Sequence, residues 1–119
     1  MRNFKELLIW QKGIEIVRIS YQISKQLPSE EKFGLVSQLI RAAVSIPSNI
    51  AEGSSRSSTK EYKHYLEIAL GSTFEVETLT LIIRDLFNEI TITDRLIEMI
   101  IEEQKMLSSF ISKLKSLNS

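Results

Sequence analysis

The chain has 119 residues, no cysteine, and 15 basic and 15 acidic side chains, so its formal net charge is zero. The lack of cysteine excludes disulfides, thiol catalysis and cysteine-based metal centres, and the balanced charge lacks the basic excess of a non-specific nucleic-acid binder. Only 4 glycines and 2 prolines beside 43% hydrophobic residues favour a single all-α domain over residues 1–119 and argue against an all-β fold.

The charges are unevenly placed along the chain. Residues 1–65 carry ten Lys/Arg and six Asp/Glu, whereas residues 66–119 carry five Lys/Arg and nine Asp/Glu. Two interpretations remain open. The halves attract each other within the bundle or between subunits, or the first half contributes a basic face to a polyanionic partner.

A first helix is predicted from about Phe4 to Gln26, because Pro28 cannot continue it. Two apolar stripes run along nearly opposite sides of this helix. One has the spacing of a bundle seam and consists of Leu7, Trp10, Ile14, Val17 and Tyr21. The other consists of Ile9, Ile16, Ile19 and Ile23. We expect another subunit to cover this second stripe, because an ordinary surface helix has one apolar face. A central helix wrapped by its own chain is the alternative.

A second helix is predicted from about Ser29 to Gly53, with a kink at Pro47. One of its faces is polar at three- and four-residue spacing. This polar stripe consists of Gln38, Arg41, Ser45, Asn49 and Glu52, and continues to Arg56. Because polar groups are costly to bury without partners, the stripe is interpreted as a hydrogen-bonded network joining helices or subunits. A ligand-binding or RNA-binding strip led by Arg41 and Arg56 is the alternative.

A third helix is predicted to begin at Ser58, whose spacing from Glu61 matches a capping box, and to end near Asn88. A fourth helix begins at Thr93-Asp94 and continues to Leu117. Four such helices with short connections predict an antiparallel up-down-up-down four-helix bundle. The bundle is expected to be a rod with much surface relative to its core, which favours association into a homo-oligomer.

Candidate nucleic-acid contacts gather where the third helix begins. The cations there are Arg56, Lys60, Lys63 and His64. Tyr62 and Tyr65 lie between them, and tyrosines can stack on bases while cations contact phosphates. The alternative is a solvated helix start with both tyrosines turned into the core.

The sequence contains no motif that is typical of a catalytic site. A di-iron bundle needs two Glu-x-x-His pairs, and His64 is the single histidine. There is no nucleophile elbow and no glycine-rich phosphate loop. The carboxylates of Glu102 and Glu103 are expected on a solvated face. The sequence therefore predicts no enzymatic activity, no metal site and no cofactor. Its apolar runs are shorter than a membrane span, so the expected location is the cytoplasm.

Two blocks of the sequence resemble a known family. The block from Glu31 to Gly53 resembles the signature of the four-helix-bundle proteins encoded in intervening sequences of bacterial 23S rRNA genes, and its run Arg-Ala-Ala-Val-Ser-Ile-Pro-Ser-Asn-Ile-Ala-Glu-Gly from Arg41 is long enough to be specific. Further matches are Trp10-Gln11-Lys12, Arg56, and Ala69-Leu70-Gly71-Ser72 followed by Glu75. The resemblance covers almost the whole chain. It implies a ring-like homopentamer and kinship with the accessory variability protein of diversity-generating retroelements, a basic pentamer that binds its reverse transcriptase and nucleic acid.

The predicted function is a non-enzymatic, homo-oligomeric helical scaffold that binds RNA or an RNA-handling protein. The basic first half and the gene context of the family favour this hypothesis. The alternative is a structural or protein–protein interaction oligomer with no nucleic-acid role, which the zero net charge favours. No membrane partner is expected.

Overall fold

The structure, a computed structural model, describes residues 3–117 and contains four α-helices and no strand in that range. The helices are α1 (Leu8–Gln26), α2 (Leu35–Ser54), α3 (Thr59–Leu86) and α4 (Thr93–Leu117), with short 3-10 helices at Phe4–Glu6 and Ser29–Glu31. Each helix packs on its neighbours in the chain, and α1 and α4 close the bundle. The chain measures 48 × 21 × 20 Å, which confirms the predicted rod shape.

Local sequence signals set the starts of α2 and α3. The hydroxyl of Ser58 accepts a hydrogen bond from the backbone N–H of Glu61 at 3.1 Å, so the predicted cap of α3 is confirmed. The second helix differs from its prediction, because α2 begins at Leu35 and not at Ser29. Gly34 has a non-helical backbone (φ −107°, ψ −108°) that separates the 3-10 helix from α2. A carboxylate oxygen of Glu31 accepts the backbone N–H of Leu35 at 3.4 Å and so caps the later start.

The core is one continuous cluster to which all four helices contribute. The second apolar stripe of α1 lies inside it, with 0–4% exposure for its members, which are Ile9, Ile16, Ile19 and Ile23. The prediction that another subunit covers this stripe is therefore wrong, because the chain itself wraps the stripe. The first stripe is less deeply buried: Trp10 and Val17 are half-buried against the core, and Tyr21 is exposed.

Pro47 is accommodated inside α2, which continues as a helix through it to Ser54. The proline is buried and packs against Gly13 of α1. A Cβ atom on Gly13 would lie 3.2 Å from the Cβ of Pro47, which is tighter than ordinary van der Waals contact. Gly13 therefore provides the space that the proline ring fills between α1 and α2.

The fit between Gly13 and Pro47 is testable by overpacking. Gly13→Val is expected to lower the free energy of unfolding by about 1–3 kcal/mol, because neither the ring nor the helix backbone can move away. Gln22→Val is the matched control, since Gln22 lies on the exposed side of the same helix and a change there is limited to helix propensity, below about 0.5 kcal/mol. Urea denaturation followed by circular dichroism measures both variants. Equal stability of the two would contradict the assigned contact.

Candidate functional site

The polar stripe of α2 lies along the groove between α2 and α3. At its middle, the hydroxyl oxygens of Ser45 and Ser72 are 2.8 Å apart and join the two helices. The side-chain amide of Asn49 donates to the Ser45 carbonyl at 2.8 Å and to the Ser45 hydroxyl at 3.0 Å. These groups are half-buried or buried and satisfy one another within the chain. The middle of the stripe is thus a network between two helices of the same chain, as the first interpretation predicted.

At the C-terminal end of the stripe, the polar side chains pair with one another. A guanidinium nitrogen of Arg56 donates to a carboxylate oxygen of Glu52 at 2.7 Å and to the hydroxyl of Tyr65 at 3.1 Å. The guanidinium carbon also lies 5.0 Å from the centre of the Tyr65 ring. The predicted i,i+4 pair of Glu52 and Arg56 is confirmed. Arg56 is therefore held to its own chain through three contacts, which restricts its use as a phosphate ligand.

The N-terminal end of the stripe lines a groove that is open to solvent. Gln38, Arg41 and Ser45 of α2 line a cavity of about 400 Å³ together with Glu75 of α3. Gln38, Arg41 and Glu75 are exposed. Within the described residues 3–117, Arg41 and Glu75 form no ion pair, either with each other or with another residue. This end of the groove therefore presents both signs of charge to the outside of the chain.

Both sequence blocks that carry the family resemblance meet in this groove. Arg41 to Gly53 form one wall on α2, and Ser72 and Glu75 stand on the facing side of α3. The spacing of polar residues predicted the α2 wall, but the α3 wall was not predicted from the sequence. The small residues Ala69, Gly71, Ser72 and Thr73 could have indicated that wall, because small side chains allow α2 to approach closely.

The predicted basic cluster is only partly assembled. Lys60 and His64 are exposed and Lys63 is half-buried on the first turns of α3. Tyr62 is only 3% exposed and its ring packs 5.5 Å from that of Phe110, so it cannot stack on a base. With Arg56 committed to Glu52, the candidate contacts reduce to the three residues on α3. None of the three forms an ion pair within the part of the chain that the structure describes.

The side of α3 that faces away from the bundle is rich in exposed apolar side chains. We call it the outer face of α3, and it consists of Ile68, Gly71, Phe74, Leu81 and Ile82. Phe74 is the most exposed of the large side chains on this face, at 54%. A Cβ atom on Gly71 would meet nothing within 4 Å. By their spacing, Ile68, Phe74 and Ile82 fall outside the row of buried residues on α3.

A buried carboxylic acid lies in the core on α4. Glu103 is 0% exposed, and neither of its oxygens has a hydrogen-bond partner within residues 3–117. Burial raises the pKa of Glu103 to about 8, and the charge of Lys12 opposes this rise only in part. Lys12 instead pairs with the exposed neighbour Glu102 at 2.7 Å. The expectation of a solvated Glu103 is wrong, because it lies three residues after Ile100 on the buried seam of α4.

Neither a metal site nor a membrane span is found in the part of the chain that the structure describes. Between residues 3 and 117, no three His, Asp or Glu side chains converge closely enough to hold a metal ion. No helix in the same range has the length and apolar character needed to cross a bilayer.

Comparison with known proteins gives a family and a fold. Residues 5–109 match the model of the family described as 23S rRNA-intervening sequence protein. A crystal structure of a protein of unknown function from the S23 ribosomal protein family of Bacteroides thetaiotaomicron is also similar. It superposes with a TM-score of 0.78 at 25% sequence identity, over 87% of this chain and 98% of that chain. None of the curated proteins matches the chain.

The buried acid makes a prediction about pH. Because the folded-state pKa of Glu103 lies near 8 and its ordinary value is 4.5, the folded chain holds a proton that the unfolded chain releases between these values. The free energy of unfolding is therefore expected to fall as pH rises from about 4.5 to about 8, by up to about 1.4 kcal/mol per pH unit. Urea midpoints at a series of pH values measure this slope.

Two variants separate Glu103 from other titrating groups. Glu103→Gln is expected to flatten the slope, because its uncharged amide cannot ionise. Glu102→Gln, the exposed neighbour, is expected to leave the slope in place. A wild-type stability that does not change between pH 5.5 and 7.5 would contradict the assignment.

Proposed function

The chain belongs to the 23S rRNA-intervening sequence protein family, and from this premise we propose that it is a non-enzymatic scaffold, an antiparallel up-down-up-down helical bundle that assembles with copies of itself in the cytoplasm. The observation that carries the proposal is the exposed apolar outer face of α3. Several exposed apolar side chains lie on this face, with charged residues such as Glu75 among them, and such a surface is typical of a protein–protein interface. A homopentamer is the assembly that the family resemblance implies, and kinship with the retroelement accessory protein stays a prediction.

Gly71 supports an interface on this face. A glycine inside a helix destabilises it by about 1 kcal/mol relative to alanine. Among residues 3–117, no neighbouring atom lies within 4 Å of the position that a Cβ at Gly71 would take, so packing among these residues does not require glycine there. A backbone that approaches closely from another copy would require it.

The outer face has two flanks, which suits an assembly in which each copy meets two neighbours. Ile68 lies one turn before Ser72, whose hydroxyl contacts α2, so it borders the α2 side. Phe74 lies three residues before Glu77, which accepts a hydrogen bond from Gln104 of α4 at 2.8 Å, so it borders the α4 side. Closed symmetric rings use two distinct patches on each copy in this way.

A role in binding RNA is the second candidate function. It is favoured by the exposed or half-exposed cations of Lys60, Lys63 and His64, which have no ion-pair partner between residues 3 and 117. Repetition of this small cluster around an oligomer would turn a weak phosphate contact into useful avidity. The zero net charge instead favours an interaction oligomer with no nucleic-acid role.

The interface is tested by placing a charge on the outer face. Phe74→Asp, alone and with Ile82→Asp, is expected to reduce the oligomer to a smaller species while helix content stays unchanged, because both side chains are substantially exposed in the single chain. Light scattering coupled to size exclusion measures the mass, and circular dichroism measures the helix content.

Phe33→Asp is the matched control for the interface. Phe33 is 88% exposed and lies before α2, away from the outer face, so its replacement is expected to leave the assembly intact. A wild-type protein that remains monomeric at high micromolar concentration would overturn the assembly proposal. So would a Phe74→Asp/Ile82→Asp variant with the wild-type mass.

RNA binding is tested by fluorescence anisotropy with labelled structured and single-stranded RNA across a salt series. Binding through phosphates is expected to weaken linearly on a log–log plot, with a slope of roughly 0.7–0.9 for each contact. Combined replacement of Lys60, Lys63 and His64 by alanine is expected to reduce that slope. Lys25→Ala/Lys32→Ala, which removes exposed cations elsewhere, is the control. If no RNA binds even at low salt, the interaction oligomer remains the proposed function.

A further inference from the structure

The open end of the α2–α3 groove contains two charges that the chain leaves without partners. Arg41 stands on the α2 wall and Glu75 on the α3 wall of the same cavity. Elsewhere in the described range, Arg18, Arg56 and Arg84 each meet a carboxylate of this chain, whereas the exposed Arg95 has no ion pair there. Arg41 has none there either, although an opposite charge lines the same cavity. The two charges are therefore available to a partner outside the chain.

These two charges border the apolar surface. Glu75 follows Ile68 by seven residues and precedes Ile82 by seven, so the three side chains share one line along α3. Arg41 precedes Val44, an exposed apolar residue of α2, by three residues. An apolar centre with a charged border is the usual anatomy of an interface, and the border charges set orientation and register.

A second copy of the chain fits this arrangement best. The groove carries one positive and one negative group, so the neighbours of one copy must together present one group of each sign. Every other copy presents that same pair. The cavity is an open groove and its charged groups are exposed, so charged side chains of a neighbouring copy can reach them.

We infer that Arg41 of one copy pairs with Glu75 of the neighbouring copy, and that this ion pair orients the copies in the assembly. The inference rests on the proposed function, because it needs an oligomer. In a closed assembly each copy supplies one arginine to one contact and one glutamate to another. A guanidinium is suited to this role, because its planar fork can bind a carboxylate through two hydrogen bonds.

Charge reversal tests the pair. Arg41→Glu and Glu75→Arg are each expected to weaken association at least tenfold at low salt, because like charges then oppose each other across the contact. The double variant Arg41→Glu/Glu75→Arg is expected to restore association. A 1:1 mixture of the two single variants is also expected to associate more strongly than either variant alone, because every mixed contact pairs opposite charges.

Mixing separates a pair between copies from a pair within one chain. A pair within one chain would be restored in the double variant but not in the mixture, and that result would overturn the inference. Analytical ultracentrifugation of each variant and of the mixture measures association, and circular dichroism verifies that each variant keeps its helices. Arg95→Glu and Glu30→Arg, exposed reversals outside the groove and the outer face, are the controls and are expected to associate as the wild type does.

Failure of this inference is distinguishable from failure of the proposed function. If the wild type assembles and Phe74→Asp/Ile82→Asp disrupts it, but both charge reversals assemble normally, the ion pair alone is refuted. If the wild type does not assemble, both proposals fail together. If Arg41→Gln and Glu75→Gln each weaken association and their 1:1 mixture partly restores it, the neutral variants support the pair, because the mixture can rebuild intact Arg41–Glu75 contacts. If the mixture restores nothing, the pair between copies is contradicted.

Discussion

The close approach of α2 and α3 is the constraint on which the rest of the structure depends. Where α2 ends, a Cβ atom on Gly53 would lie 2.8 Å from the Cβ of Tyr65, so only glycine fits there. Half-way along, the hydroxyl contact between Ser45 and Ser72 holds the helices at the width of two small side chains. Larger residues at these positions would separate the helices and break the polar network. This tight pairing keeps the polar stripe of α2 in the groove and out of the core.

The same pairing explains why α3 has apolar residues on two sides. Its inner side faces the core, where Leu66, Val76 and Ile83 are fully buried. With α2 and α4 on its flanks, its remaining side points away from the bundle and still carries Phe74 and Ile82. The part of these side chains that is exposed to solvent adds nothing to the stability of the single chain. Their presence is understandable if the folded unit is larger than one chain.

Local rules predicted the parts of the structure that depend on a few neighbouring residues. The number of helices, the cap at Ser58 and the pairing of Glu52 with Arg56 all follow from spacing within one helix. The choice between the two stripes of α1 does not, because both have helical spacing and the choice depends on how α2 and α4 pack around that helix. The burial of Glu103 could have been predicted from its position on the buried seam of α4. It was expected on a solvated face because a carboxylate is usually exposed. The α3 wall of the groove could not be predicted without knowing which helix faces α2.

Two residues depart from the choice that would stabilise the single chain most. Glu103 places an acid in the core, where an apolar side chain of similar size is often more stabilising. Gly71 weakens α3 at a point where its own chain needs no space. Protonation near neutral pH removes the charge of Glu103 but leaves its two buried oxygens without hydrogen-bond partners among the described residues. Gly71 lies at the surface of α3, where a neighbouring copy on the outer face would need the space that glycine leaves. Of these two departures from local rules, the one at the surface therefore indicates where the chain meets another copy.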